Sequence, residues 1–440
     1  MPITTVMMIA VVQGYSASPQ PPAWLGEVVM RPGYRIALAA RDLPGIRHVE
    51  TDRANRVFVS RPYAPPAEGE RRSTRGEILT LRDRDGDGLF EWRETFVSGP
   101  VTLHGLFWVA DESKPGMPAL PGAGWLWYAT SGGVWKARDA DGDGKAEETV
   151  EILKEGSLPS GGANWWRSLL VANVGGTPRL LTGVGDTANI TLEPETERQS
   201  IWSFALDGSD KRLFASGFRS TEKLLTRPGT AEVWGVDQGS DWFGRGLGEK
   251  PAEGVTGQPF TEMFPPDEVN RIIEGGFYGH PFLAGDRVPR PEFMARRDLA
   301  EWAAKTITPE AALPAHAGAS GFCFLDPGIQ ARVAARPAAL PREMTRSGTD
   351  MIVACHGSWS TPRPAGYSLE RILFDPVTDK PVGRVTILQC TKSAADGKWT
   401  PLVRPVDVTH AADGSLIFSC DMNGMLFRVT GTPIDPPKVR

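Results

Sequence analysis

Leu416-Ile417-Phe418-Ser419-Cys420-Asp421-Met422-Asn423-Gly424-Met425-Leu426-Phe427-Arg428-Val429 reads as a short apolar run, a turn, and an exit strand that alternates in character. Apolar β-branched and aromatic residues suit a strand packed on both faces, and alternation suits one with a wetter side. Working back along the chain, the same grammar recurs. The apolar runs are Arg56–Val59, Trp125–Tyr128, Arg179–Thr182, Glu232–Gly235, Met351–Ala354 and Leu416–Ser419. Each is followed by an exit strand: Glu77–Leu81, Val134–Ala137, Ile201–Phe204, Val269–Ile273, Leu369–Leu373 and Met425–Val429. Repeats of roughly 45–90 residues with four strands each predict propeller blades, the apolar runs acting as inner strands. The expected fold is therefore all-β, a six-bladed β-propeller with long loops on one face, formed by residues 30–432 as a single domain. A strand near Tyr34–Ala39 completes the last blade, since ring closure leaves no long unpaired sheet edge. A β-sandwich would not account for six passes through one pattern.

Composition agrees with this reading. The 49 glycines and 38 prolines are spread along the chain, as many short strands and turns require. The best helical stretch, Pro291–Lys305, is short and sits within a long excursion, Phe282–Pro314. Two other excursions, Asp111–Gly124 and Arg245–Pro265, are long enough to carry function. A net charge of −5 with interspersed signs excludes the basic face of a nucleic-acid binder. An apolar run from Ile3 to Val12, then Ser16-Ala17-Ser18, predicts an export leader over residues 1–20, although no Lys or Arg precedes Arg31. This points to a periplasmic or secreted protein. No other segment is long and apolar enough for a membrane span.

Cys323, Cys355, Cys390 and Cys420 form no CxxC or CxxCH, so zinc-ribbon and haem-attachment chemistry have no support. Buried thiols are expected, with one disulfide open if the protein is exported. Neither HxxxH nor GxSxG occurs, nor a Walker or Rossmann glycine pattern.

Acidic loops give the clearest local signal. Asp83, Asp85, Asp87 and Glu94 match the spacing of a twelve-residue calcium loop, and calcium favours such hard oxygen ligands. Asp139, Asp141 and Asp143 form a second copy in which Val150 stands at the closing position, with Glu147 or Glu148 as substitutes. Asp-Gly hairpin turns without metal are the other reading.

Between residues 217 and 406 a series of motifs resembles the soluble glucose/sorbosone dehydrogenases, which are quinoproteins. They are Gly217-Phe218-Arg219-Ser220, Asp237-Gln238-Gly239-Ser240-Asp241, Pro266–Asn270 and Gly275–Pro281. Ala315-His316-Ala317 with Gly321, His356-Gly357-Ser358-Trp359 and Arg404-Pro405-Val406 follow in family order. The resemblance implies a propeller that holds pyrroloquinoline quinone (PQQ) and Ca²⁺ at its channel mouth and oxidises sugar or aldose hydroxyls. Arg219 then matches the arginine that pairs with a quinone carboxylate, and Gly239 and Ser240 fall where carbonyls coordinate calcium. Ser220, Gln238, His316, His356 and Arg363 complete the implied cofactor set. A structural salt bridge within the blade is the competing role for Arg219.

The chain also departs from the family. Where the general-base histidine is expected it reads Gly161-Gly162-Ala163-Asn164-Trp165-Trp166, and neither Ala163 nor Asn164 can take a proton at neutral pH. His104 and Asp241 are the remaining catalytic candidates, with a buried histidine bonded to backbone as the other reading of His104, and Asn164, Trp165 and Trp166 are the substrate-binding ones. The implied function is a PQQ- and calcium-dependent sugar dehydrogenase with lost or altered activity, using a separate electron acceptor. A non-catalytic carbohydrate- or protein-binding propeller is the alternative. A different enzyme using Asp241 with Glu268 stays open.

Overall fold

Hydrogen bonding sorts the strands into six sheets of four or five strands, joined in chain order around a ring, and two separate two-stranded hairpins, Leu283–Ala284 with Val288–Pro289 and Thr391–Ser393 with Trp399–Pro401. The computed structural model describes residues 20–66, 70–110, 124–244, 259–336, 339–341, 349–358, 361, 364–393 and 398–432. The expected leader and Arg363 lie outside the described residues.

Blade 1 comprises Val49–Thr51, Val57–Arg61, Arg75–Arg82 and Trp92–Pro100, and blade 2 comprises Leu106–Ala110, Gly124–Ala129, Val134–Arg138 and Glu148–Leu153. Blade 3 runs through Leu170–Val174, Thr177–Val184, Ser200–Phe204 and Arg212–Ser216, and blade 4 through Thr221–Thr226, Val233–Asp237, Pro266–Ile272 and Ala311–Ala315. Blade 5 contains Ala319–Phe324, Met351–Cys355, Ser368–Phe374 and Pro381–Gln389; blade 6 contains Pro405–His410, Leu416–Cys420 and Met425–Gly431. Tyr34–Ala40 closes blade 6 by antiparallel pairing, Ile36 opposite Val429, as the sequence predicts. Two short additions fit outside the pattern: Val29–Met30 extends blade 5, and Gly276–Phe277 adds a parallel fifth strand to blade 3.

All six apolar runs are strands, but they take the second position in each blade rather than the innermost. The innermost strands line the channel and include polar residues such as Glu50, Lys223, Ser320 and Asp407, so an apolar search passes over them. Second strands are covered on both faces by neighbouring blades. Trp234 of blade 4, for example, meets Phe324 and Phe374 of blade 5 edge-on at 6.1 and 5.4 Å.

Antiparallel order sends the connections between second and third strands, and those between blades, to one end of the ring. The turns between first and second, and between third and fourth strands, emerge at the other. The excursion at 111–123, and residues 245–258 of the second excursion, lie outside the described residues. The 273–310 insertion supplies the 3₁₀ turn Pro291–Phe293 and the helix Leu299–Lys305, and its Phe282, Leu283 and Phe293 form a small core with Ile190 and Trp242. All four cysteines are buried and unpaired. Among the described residues no helix is long and apolar enough to cross a membrane.

Candidate functional site

At the first end of the ring, loops from all six blades surround a cavity of about 650 Å³. Of the residues singled out from sequence, Asn164, Arg219, Gln238, Gly239, Asp241, His316 and His356 line it, as do Trp166 and Ala163. The volume falls within the range of small-molecule sites.

Arg219 is held by the blade 3 loop. Its Nε donates to the Asn189 carbonyl at 2.9 Å and Nη2 donates to Asn189 Oδ1 at 2.8 Å, while Asp237 takes the backbone N–H groups of Arg219 and Ser220. The guanidinium is buried, yet among the described residues no carboxylate lies within ion-pair distance. A salt bridge inside the blade is therefore not its role. Asn189 is positioned in turn by Asp186, which accepts from Ala188 N, Thr191 N, Gln199 Nε2 and His280 Nε2. Burial alone would raise Asp186, but the His280 hydrogen bond and charge with these donors hold its carboxyl well below the usual range. His280, in the Gly275–Pro281 motif, thus supports the loop that orients Arg219.

Arg47 occupies the opposite wall. Its Nη1 meets Asp421 Oδ2 at 3.0 Å and His356 Nε2 at 3.3 Å, Nη2 reaches Glu222 at 3.3 Å, and the guanidinium lies 4.2 Å from the Trp166 ring centre. Arg404 Nε donates to Asp421 Oδ1 at 2.8 Å. Burial pushes His356 below its ordinary value, and the hydrogen bond to Asp421 only partly offsets this. Arg47, Glu222 and Asp421 went unnoticed in the sequence because they stand outside any motif. The only available signal was position, just before or after a predicted strand at the cavity end.

Residues 163 and 164 carry no group that can take a proton. Ala163 N and the Asn164 side chain are spent on the neighbouring loop: Asn164 Nδ2 donates to the Asp186 and Ala188 carbonyls at 3.1 and 2.6 Å. His104 does not reach the cavity. It is wholly buried beneath Trp166, with ring centres 4.6 Å apart, because its place at the entry to blade 2 turns it into the channel. Trp165 packs on Trp166 at 3.7 Å and against Tyr63 at 5.9 Å, outside the cavity lining. The Ser220 and Ser240 side chains are also off the cavity; Ser240 Oγ donates to the Trp242 carbonyl and accepts from Arg290. Asp241 does line it, and its carboxylate has no hydrogen bond or ion pair among the described residues. Asp241 and Glu268 do not share a cavity: Glu268 sits in a separate small pocket, accepting from Gly285 N at 2.8 Å.

Burial, with Asp237 adding, pushes Glu268 up from 4.5 to about 8, and burial lifts Asp267 to about 7. Below pH 4.5 Glu268 is protonated whether folded or unfolded. Between 4.5 and 8 the unfolded chain releases a proton that the folded one keeps, so stability falls as pH rises across that window. Denaturant midpoints measured from pH 4.5 to 8 should decline, and Glu268→Gln should flatten the decline.

Both acidic loops join third to fourth strands and so lie at the end opposite the cavity. Their carboxylates cap their own backbone in the same way: Asp83 takes Gly86 N and Gly88 N, and Asp139 takes Gly142 N and Gly144 N. Glu94 is not part of the first loop; it lies on the following strand, 3.6 Å from Lys145 Nζ. Glu91 stands with Asp83 and Asp85, while Asp87 takes Leu89 N; in the second loop Glu147 joins Asp139, Asp141 and Asp143. The strand begins before the twelfth position is reached, so the ninth closes the loop. Aligning Asp83–Glu91 with Asp139–Glu147 would have shown it. Asp139 also takes Arg56 Nη1 at 2.6 Å, which partly neutralises the second loop.

Fold and cavity together define a six-bladed propeller with a cation-bearing pocket at one channel mouth. The chain belongs to the TrAA12-like family, whose model matches residues 190–432. Among solved structures it is similar to the holo pyranose dehydrogenase PQQ domain from Coprinopsis cinerea, at 16% identity over 94% of this chain and 98% of that one, TM-score 0.67. It is also similar to the calcium structure of the Trichoderma reesei family AA12 protein (17%, 91% and 96%, 0.66). The apo soluble aldose sugar dehydrogenase from Escherichia coli matches at 14% identity over 91% and 99%, TM-score 0.54. An uncharacterized protein of Borreliella burgdorferi is 26% identical over 252 residues, 57% of each chain, so this chain spans little more than half of that relative.

Proposed function

We propose that the protein is a PQQ- and calcium-dependent sugar or aldose dehydrogenase that works without the family's histidine base. The observation supporting it is the buried Arg219, a guanidinium at the cavity with no carboxylate within ion-pair distance among the described residues, Asp267 acting on it only from further off. A buried cation without a counter-ion is costly, and a quinone carboxylate would supply one in bidentate geometry. The cavity fits the group in size and in donor chemistry. Arg219 would hold one carboxylate, with Gln238, His316 and His356 around the ring system. The Gly239 and Ser240 carbonyls would take the calcium. When bound, PQQ would supply the two-electron acceptor, and a separate molecule would reoxidise it.

The remaining task of the chain's own residues is to orient a sugar hydroxyl and accept its proton. Asp241 suits the second role, being the cavity carboxylate with no protein partner among the described residues. Asp241→Asn should lower kcat about 10²–10⁴-fold while PQQ binding is retained. Equal loss of binding would make it a cofactor ligand instead. Calcium in the acidic loops, through Asp83, Asp85 and Glu91, would be remote from this chemistry.

One observation favours a second reading: Ala163 and Asn164 stand in the base position beside the paired Trp165 and Trp166, as in a sugar-binding platform. Titrating the purified protein with PQQ and Ca²⁺ while following the quinone absorbance separates the two. Saturable binding with sugar-dependent bleaching supports the dehydrogenase. Sugar binding without any quinone binding supports the non-catalytic propeller.

A further inference from the structure

Directly beneath the cavity floor, three side chains from three blades meet in the central channel. His48 precedes the innermost strand of blade 1, His104 precedes that of blade 2, and Glu222 lies on that of blade 4. His48 is 1% exposed and His104 0%. Their ring centres are 4.0 Å apart, and His104 Nε2 is 3.8 Å from Glu222 Oε2. One nitrogen of each imidazole and a Glu222 oxygen all fall within 4.8 Å of one another.

The hydrogen-bond pattern is a separate observation. Among the described residues neither ring nitrogen of His48 has a hydrogen-bond partner, nor has His104 Nε2. A buried polar atom left without a partner keeps the full cost of its desolvation. Native interiors seldom leave one without a water or an ion. His104 Nδ1 faces the Arg167 carbonyl at 3.5 Å, which only a protonated nitrogen can satisfy. The proton therefore belongs on Nδ1, and the Nε2 lone pair points into the cluster, as in metal-bound histidines backed by a carbonyl.

We propose that His48, His104 and Glu222 bind one divalent transition metal ion of the zinc class at the cavity end of the channel. Two imidazoles and one carboxylate match the donor set of zinc and its neighbours, whereas calcium and magnesium prefer oxygen alone. Ligand atoms must draw together by about 1 Å, since zinc bonds are near 2.0–2.2 Å. Lys223 pairs with Asp407 at 2.7 Å and Arg47 with Asp421 at 3.0 Å, yet Lys223, Arg47 and Arg167 still place positive charge near the two imidazoles, so Glu222 must offset them for a cation to bind. Glu222 is shared with Arg47, Ser320 and Gln238, which limits affinity but fixes the carboxylate. Because Glu222 also lines the cavity, a water in the fourth position would form part of its floor. The bound ion would tie blades 1, 2 and 4 together.

The test uses the full chain, stripped with a chelator and titrated with Co²⁺ and Zn²⁺ in the absence of PQQ. One Co²⁺ per chain with intense visible absorption of low-coordinate geometry is expected, and X-ray absorption of the wild-type zinc form should show two imidazoles. His48→Gln and His104→Gln, checked for folding by circular dichroism, should each weaken binding at least 10-fold. No saturable binding, zinc without imidazole ligands, or undiminished affinity in both variants would overturn the site and leave a buried water as its occupant.

Discussion

Arg219→Met will weaken PQQ binding by about 30-fold to several-thousand-fold, the range expected when one side of a buried charged contact is truncated. The fold should survive, because the side chain bonds only to the Asn189 carbonyl and amide, both beside a cavity that water can enter. Arg219→Lys should recover only part of the affinity, since an ammonium cannot grip a carboxylate in two parallel bonds. Quinone absorbance titrations of the three proteins, at fixed calcium, decide the matter. Unchanged affinity in the methionine variant would remove the main support for a quinone in this cavity.

Asp407→Ala should destabilise the protein by about 3–5 kcal/mol, the usual cost of stranding one member of a buried ion pair. Asp407 receives Lys223 Nζ at 2.7 and 3.0 Å and the backbone N–H of Val49 at 3.0 Å, so it joins blades 4, 6 and 1 across the channel. The neighbouring residue shows how closely it is packed. A Cβ at Gly321 would stand 2.0 Å from Asp407 Oδ1, so only glycine fits there. Lys223→Met combined with Asp407→Leu should recover part of the loss, since Lys223 is then not stranded without Asp407, although the buried Glu50 loses the cation that favours its charged form. Denaturant midpoints for the single and double variants measure both effects. A double variant no more stable than Asp407→Ala would show that shape, rather than charge, sets the cost.

The elements that were legible in the sequence are those whose burial is local and periodic. Met351–Ala354 and Leu369–Leu373 announce strands because both are packed between blades along their length, and Tyr34–Ala39 announces closure because its partner Met425–Val429 alternates in register. Motif residues were equally readable: Arg219, Gln238, Gly239, Asp241, His316 and His356 share one cavity because each sits on a connection at the same end of the ring. Residues whose meaning depends on distant partners could not be read. Arg47 and Asp421 are 374 positions apart, and Arg47 and Glu222 175 apart, yet they form one wall. For His104, entering a blade, the sequence offers either a base or a buried histidine bonded to backbone; packing under Trp166 and the Arg167 carbonyl show the second, sealed in the channel beside His48.

By itself the sequence determined the blade count, the closing strand, the order of the cofactor-type motifs and the lack of a histidine at residues 163 and 164, since all follow from local pattern and residue identity. Tertiary structure alone decided which end of the ring each loop occupies, that Glu91 rather than Glu94 closes the first acidic loop, and that Arg219 faces the cavity without a counter-ion. The physical reason is closure. Strand periodicity is fixed by neighbours along the chain, but charge balance and access to water are fixed by side chains that meet only when the first blade is joined to the last.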